Sequence, residues 1–96
     1  MPTTVIVELH NVDMERFKKA NEKHADTLAT VIQLGKKYGM LSGQRYIRGT
    51  TVIDIDEWES ETAYFGFMAE AHPHLAELAA ARGTSPMDGV LWDRLF

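Results

Sequence analysis

The sequence predicts an α+β domain of order βαββαβ, a four-stranded antiparallel sheet with two helices packed on one face. Three observations carry this. A segment rich in β-branched residues with a period of two lies near the start of the chain, and further strand segments lie in its middle and at its end. Two segments with a period of 3.6 separate them. The link between the two middle strands is so short that they form an antiparallel hairpin.

The first strand runs from Thr3 to His10, where Val5, Val7 and Leu9 alternate with Ile6, Glu8 and His10. Asn11 and Asp13 follow as turn and cap, Asp13 accepting from the unpaired N–H groups of a helix start. At about 100° per residue, Met14, Phe17, Asn21, His24, Leu28, Val31, Ile32, Gly35 and Tyr38 form one stripe, which predicts a single amphipathic helix over 14–38. Gly39 ends it in the left-handed conformation. Gly43 opens a short strand over 44–48, Gly49-Thr50 is the tight link, and 51–58 is the next strand. Ser60 caps the second helical segment, with Glu61 near the positive end of its dipole. Pro73 fits the start of a turn better than the middle of a helix, so the segment divides into 60–71 and 73–82, capped by Gly83. A loop over 84–89 leads to a last strand over 90–96.

Right-handed crossovers place both helices on one sheet face, the ferredoxin-like arrangement. The other face is left bare, yet neither face reads as uniformly polar. Val5, Val7, Leu9, Ile53 and Ile55 are expected on one, and Ile6, Val52, Trp58 and Trp92 on the other. One helical layer cannot cover both, so a second copy of the chain is expected against the bare face.

A chain of 96 residues holds one domain, here 1–96, and a domain this small is marginal on its own core. Cysteines are absent, which excludes disulfides and leaves self-association as the remaining common support. The net charge of −4 is dispersed, and no Lys/Arg stripe suits nucleic acid. The N-terminus lacks a signal-peptide pattern, and no run approaches the roughly 20 apolar residues that span a bilayer. A cytoplasmic location is the plain expectation.

The segment from Thr51 to Gly83, TVIDIDEWESETAYFGFMAEAHPHLAELAAARG, resembles the antibiotic-biosynthesis-monooxygenase-like proteins. The resemblance lies in a strand ending Glu-x-Trp-Glu-Ser, a helix with an early aromatic, and a small-His-Pro-His-Leu stretch. It covers about a third of the chain, and the order of elements agrees over the whole. It implies a dimeric α+β barrel with a cavity in each subunit between sheet and helices. Some members oxidise polycyclic phenols to quinones with O₂ and neither metal nor flavin. They pair the strand tryptophan, here Trp58, with an asparagine four residues earlier, where this chain has Asp54, which cannot donate the amide hydrogen bond. Another branch degrades haem. Its ligand histidine, helix aromatic and strand asparagine fall on Glu77, Phe67 and Val7, which disfavours haem even with His72 and His74 nearby.

The residues expected to carry chemistry are His24, Asp54, Trp58 and Tyr64, in a pocket completed by Asn21, Phe67 and His72. His24 lies mid-stripe on the first helix, facing the sheet, as a general base or as a structural histidine bonded to a strand carbonyl or Asn21. Asp54 and Asp56 share one strand face, either as a polar pocket wall or as an ion-pair network with His10 or Arg48. Trp58 and Tyr64 flank the strand-to-helix junction, to stack on a planar ligand or to pack the core. His72-Pro73-His74 is too sparse for a metal site without further ligands and fits an exposed helix junction. No phosphate loop, dinucleotide glycine pattern or serine elbow is present. The expected function is a small-molecule enzyme, a cofactor-independent monooxygenase of an aromatic or polyketide-like ligand. The alternative is a non-catalytic binding or structural barrel.

Overall fold

The computed structural model describes residues 2–84 and 89–95. Strand β1 (Thr3–Leu9) is followed by helices α1 (Met14–Lys23) and α2 (Ala25–Tyr38). The hairpin β2 (Met40–Arg48) and β3 (Thr51–Trp58) comes next, then helix α3 (Glu61–Arg82) and strand β4 (Val90–Asp93). The sheet order is β2-β3-β1-β4 with every neighbour antiparallel. Of the expected loop and last strand, residues 85–88 and 96 lie outside the described residues.

The predicted caps are in place. Asp13 Oδ1 accepts from the Arg16 N–H at 3.1 Å, and Ser60 Oγ from the Ala63 N–H at 3.1 Å. Gly39 ends α2 at φ 105°. The hairpin closes through Gly49-Thr50, where Gly49 takes the positive φ (59°) required at the first position of a type II′ turn. The second strand begins earlier than expected, at Met40, with a bulge between Met40 and Ser42.

Both helical expectations are corrected. The expected single helix over 14–38 is divided at His24, whose φ −107° and ψ 33° leave the helical region. The bonds His24 N–H to Ala20 O and Leu28 N–H to His24 O survive the division, so the hydrophobic stripe passes through it in phase and leaves no trace in the periodicity. The expected pair 60–71 and 73–82 is instead one continuous helix with Pro73 inside it. Pro73 and Ala69, whose carbonyl loses its partner, are both exposed, so water can take that carbonyl and the helix is spared its usual interruption.

The sheet faces are also corrected. Thr3 lies opposite Trp58, Val5 opposite Asp56, Val7 opposite Asp54 and Leu9 opposite Val52. The helix-covered face therefore carries Val5, Val7, Leu9, Val52, Asp54, Asp56 and Trp58, and the bare face carries Ile6, Ile53, Ile55 and Trp92. The expectation grouped Val5, Val7 and Leu9 with Ile53 and Ile55, whereas the register sets them beside the even-numbered residues of β3. That shared face lies under the helices.

Two clusters form the core. One joins Val5, Trp58, Tyr64, Phe67 and Ala71, and the other Leu9, Val12, Phe17 and Val52. Gly66 lets α3 approach Tyr38, since a Cβ there would stand 3.0 Å from the tyrosine ring. On the bare face Tyr46, Val90 and Trp92 are each more than half exposed.

Candidate functional site

Beside the first core cluster the helices stand away from the sheet and leave a cavity of about 420 Å³. Its floor is Val5 and Val7 from β1, Asp54, Asp56 and Trp58 from β3, and Gly43, Gln44 and Arg45 from β2. Leu28, Val31, Ile32 and Gly35 of α2 form one wall. Tyr64, Phe67, Met68 and Leu75 of α3 form the other. A mostly apolar enclosure with a few polar groups at one side is the usual form of a small-molecule site.

The aromatic end is built around Trp58, which is 1% exposed. Its ring meets Tyr64 edge-on at 5.5 Å and Phe67 at 4.7 Å. The Trp58 indole N–H has no hydrogen-bond partner among the described residues. A buried donor left unpaired costs on the order of 1–3 kcal/mol, and this one belongs to a residue of the cavity lining. Gly89 packs beside the Tyr64 hydroxyl, where a Cβ would come within 3.0 Å of it.

The charged end is an ion-pair network. Arg45 donates from Nε to Asp54 Oδ1 and from Nη2 to Asp54 Oδ2, the latter at 3.2 Å, a two-point pairing that occupies both carboxylate oxygens. The partner of Asp54 is thus Arg45, in place of the expected His10 or Arg48. His10 instead lies beside Glu8 and Thr51. Next to this pair Arg82 is buried, its Nε donating to Asn21 Oδ1 at 2.8 Å and its guanidinium lying 4.6 Å from the Phe17 ring centre. Burial first, and then the neighbouring charge of Arg45, lower Arg82 to about 10, with Asp54 opposing. Asp56 is different. Burial first, and then the like charge of Asp54, push its carboxyl up to about 6, against the pull of Arg45.

Of the seven expected residues, Asp54, Trp58, Tyr64 and Phe67 come together in this cavity. The other three do not. His24, expected to face the sheet, lines an open groove with Asp13, Arg16, Lys19 and Lys23. Asn21 is held by Arg82. His72 is on the exposed side of α3. Glu77, at the haem-ligand position, accepts from Thr27 Oγ1 at 2.7 Å, and among the described residues the cavity lining holds no imidazole or thiolate. Among the described residues no three His, Asp or Glu side chains converge to hold a metal ion, and no helix is long and apolar enough to cross a membrane.

Arg45 and Arg82 were missed. A signal for Arg45 existed, because counting back three residues on either side of the hairpin turn sets Arg45 against Asp54. None existed for Arg82, since an arginine in the last turn of a helix ordinarily serves the dipole at the surface.

No protein-family model matches the chain, and no curated sequence matches it at a significant level. Solved structures do. An antibiotic-biosynthesis-monooxygenase-type protein from Nitrosomonas europaea superimposes with a TM-score of 0.67 at 13% identity, covering 99% of this chain and 91% of that one. SnoaB, a cofactor-independent oxygenase from Streptomyces nogalater, gives 0.64 at 17% identity over 97% and 91%. The monooxygenase of the ActVA-Orf6 gene of Streptomyces coelicolor, solved with Nanaomycin D, gives 0.64 at 20% identity over 97% and 86%. The chain has the fold of the antibiotic biosynthesis monooxygenases.

Proposed function

We propose that the chain is a cofactor-independent monooxygenase of a hydroxylated polycyclic aromatic, working in the cavity beneath α2 and α3. The observation that carries the reading is the unpaired, buried Trp58 indole N–H in an aromatic wall of a cavity of about 420 Å³. The fold shared with SnoaB and the ActVA-Orf6 monooxygenase supports it.

The chemistry asks little of the protein. A polycyclic phenol or anthrone that has lost a proton is electron-rich enough to reduce O₂ itself. In the net reaction a ring CH₂ and O₂ give a ring carbonyl and water. One oxygen atom is retained, the other leaves as water, and four electrons pass from carbon to oxygen. The chain's part is to stack the rings against Trp58, Tyr64 and Phe67, to donate from the Trp58 N–H to a ligand oxygen, and to exclude water with the α2 wall. The Arg45–Asp54 pair holds the floor in register. Asp54, with both oxygens occupied, acts through Arg45.

In this reading a second copy of the chain covers the bare sheet face. Ile6, Ile53 and Ile55 with Tyr46, Val90 and Trp92 make an apolar surface that water disfavours.

Oxygen uptake with 1,8-dihydroxyanthrone tests the function. The protein is expected to consume one O₂ per anthrone converted to quinone, above the spontaneous rate. Trp58→Phe is expected to lower kcat/KM about tenfold or less, since one such hydrogen bond is worth roughly 0.5–1.5 kcal/mol. Uptake no faster than in buffer, with this and related anthrones, removes the reading.

A further inference from the structure

Asp56 stands in the middle of β3, on the cavity side, between Val5 of β1 and Gly43 of β2. Neither neighbour offers a side-chain donor. Gly43 leaves the space that the carboxylate fills, as a Cβ there would lie 2.9 Å from Asp56 Oδ1. Among the described residues no group hydrogen-bonds the Asp56 carboxylate, whereas both oxygens of Asp54 are taken. A half-buried carboxylate without a donor calls for one from a ligand.

The surroundings narrow the ligand's chemistry. Among the described residues, the charged or titratable groups lining the cavity are Arg45 from β2, Asp54 and Asp56 from β3, and Tyr64 from α3; β1 and α2 present apolar residues. Arg45 and Asp54 neutralise each other, so an ionised Asp56 is the remaining charge among the described lining groups, with Arg82 buried behind the pair. Such a site rejects an anion and accepts a hydrogen-bond donor.

We propose that Asp56 is the proton acceptor of the cavity, taking the hydrogen of a hydroxyl on the bound aromatic and so selecting hydroxylated ligands over O-methylated and carboxylated ones. This rests on the reading of the cavity as an aromatic-ligand site. In turnover the ligand O–H bond breaks, an O–H bond forms on the Asp56 carboxyl, and the electron pair stays on the ligand. The carboxyl's displacement to about 6 suits the task, because a more basic carboxylate is a better acceptor and is still ionised at pH 8.

Calorimetric titration with 1-naphthol, 1-methoxynaphthalene and 1-naphthoate tests this at pH 8 and pH 5. The wild-type protein at pH 8 is expected to bind 1-naphthol about tenfold more tightly than the methyl ether, the scale of a hydrogen bond to a charged group, with naphthoate weakest. The preference should fade as pH falls through about 6. Asp56→Asn should show a small preference, equal at both pH values. Gly43→Ala, which crowds the carboxylate without changing charge, should reduce the preference at pH 8. Equal binding of naphthol and its ether by the wild type, no naphthol binding, or a preference undiminished in Asp56→Asn overturns the assignment. Oxygen uptake on the same samples separates the two readings. A naphthol preference tied to Asp56 without anthrone oxidation leaves Asp56 as assigned and removes the oxygenase. Anthrone oxidation with kcat/KM unchanged in Asp56→Asn removes Asp56 alone.

Discussion

Asp54 and Asp56 point the same way from one strand and differ in what meets them. Arg45 grips the first at two points, while the second faces the cavity without a donor among the described residues. The consequence for stability has a definite sign. The folded protein holds the Asp56 proton up to about pH 6 against 3.8 for an unperturbed aspartate. Between these values the folded state binds more protons than the unfolded state, so stability is highest below the lower value and falls as pH rises through the window. Asp56→Asn is therefore expected to raise Tm at pH 8, with the gain vanishing near pH 4. The expected size is a few degrees, where about 1 kcal/mol corresponds to roughly 4–8 °C in a domain of this length. Thermal melts of both proteins across the range check it, and a gain independent of pH contradicts it. Asp54→Asn removes a like charge and frees Arg45, and both changes draw Asp56 down. Carboxyl NMR titration should place its midpoint nearer the ordinary aspartate range. Residue identity made Trp58, Tyr64 and the aspartates legible in the sequence. The partners were harder, since Arg45 required the hairpin register and Arg82 is an arginine buried against Phe17 where surface exposure is the rule.

Elements were legible where local chemistry determines them. Asp13, Ser60, Gly39 and Gly83 mark helix ends because each meets a demand of the end itself, a free N–H to accept from or a left-handed residue to supply. The interiors were not, and the two misreadings have one cause. Whether a helix bends depends on what its backbone meets in space. His24 keeps the hydrogen bonds on either side of it while its dihedrals leave the helix, and Pro73 stays within the helix because its lost bond faces solvent. Pro73→Ala restores an N–H to pair with the Ala69 carbonyl and is expected to stabilise the fold by about 1–3 kcal/mol. Denaturant unfolding measures this, and a loss of stability would mean that α3 depends on the ring. His24, at the division, lines the outer groove and not the cavity, where Asp56 is the carboxylate without a donor among the described residues.

At the scale of the molecule, one helical layer covers one sheet face, and the other presents Ile6, Ile53 and Ile55 beside the exposed Tyr46, Val90 and Trp92. The sequence disclosed that both faces are apolar, but hydrophobicity alone could not sort residues between them, because the face under the helices also holds the charged floor of the cavity. A second copy against the bare face is expected to give a dimer in sedimentation equilibrium at micromolar concentration. Ile55→Asp, placing a charge at the centre of that face, is expected to shift the protein to monomer. A wild-type monomer under these conditions contradicts the pairing.

Entry of an aromatic ligand into the cavity, up to the Trp58 indole, can be followed through the two indole N–H resonances of ¹⁵N-labelled protein during titration with 1-naphthol. Trp58 lines the cavity and Trp92 lies on the opposite sheet face, so the two report on separate places. The Trp58 resonance is expected to move and saturate while that of Trp92 stays in place. Movement of Trp92 with Trp58 unchanged, or of neither, would contradict the account.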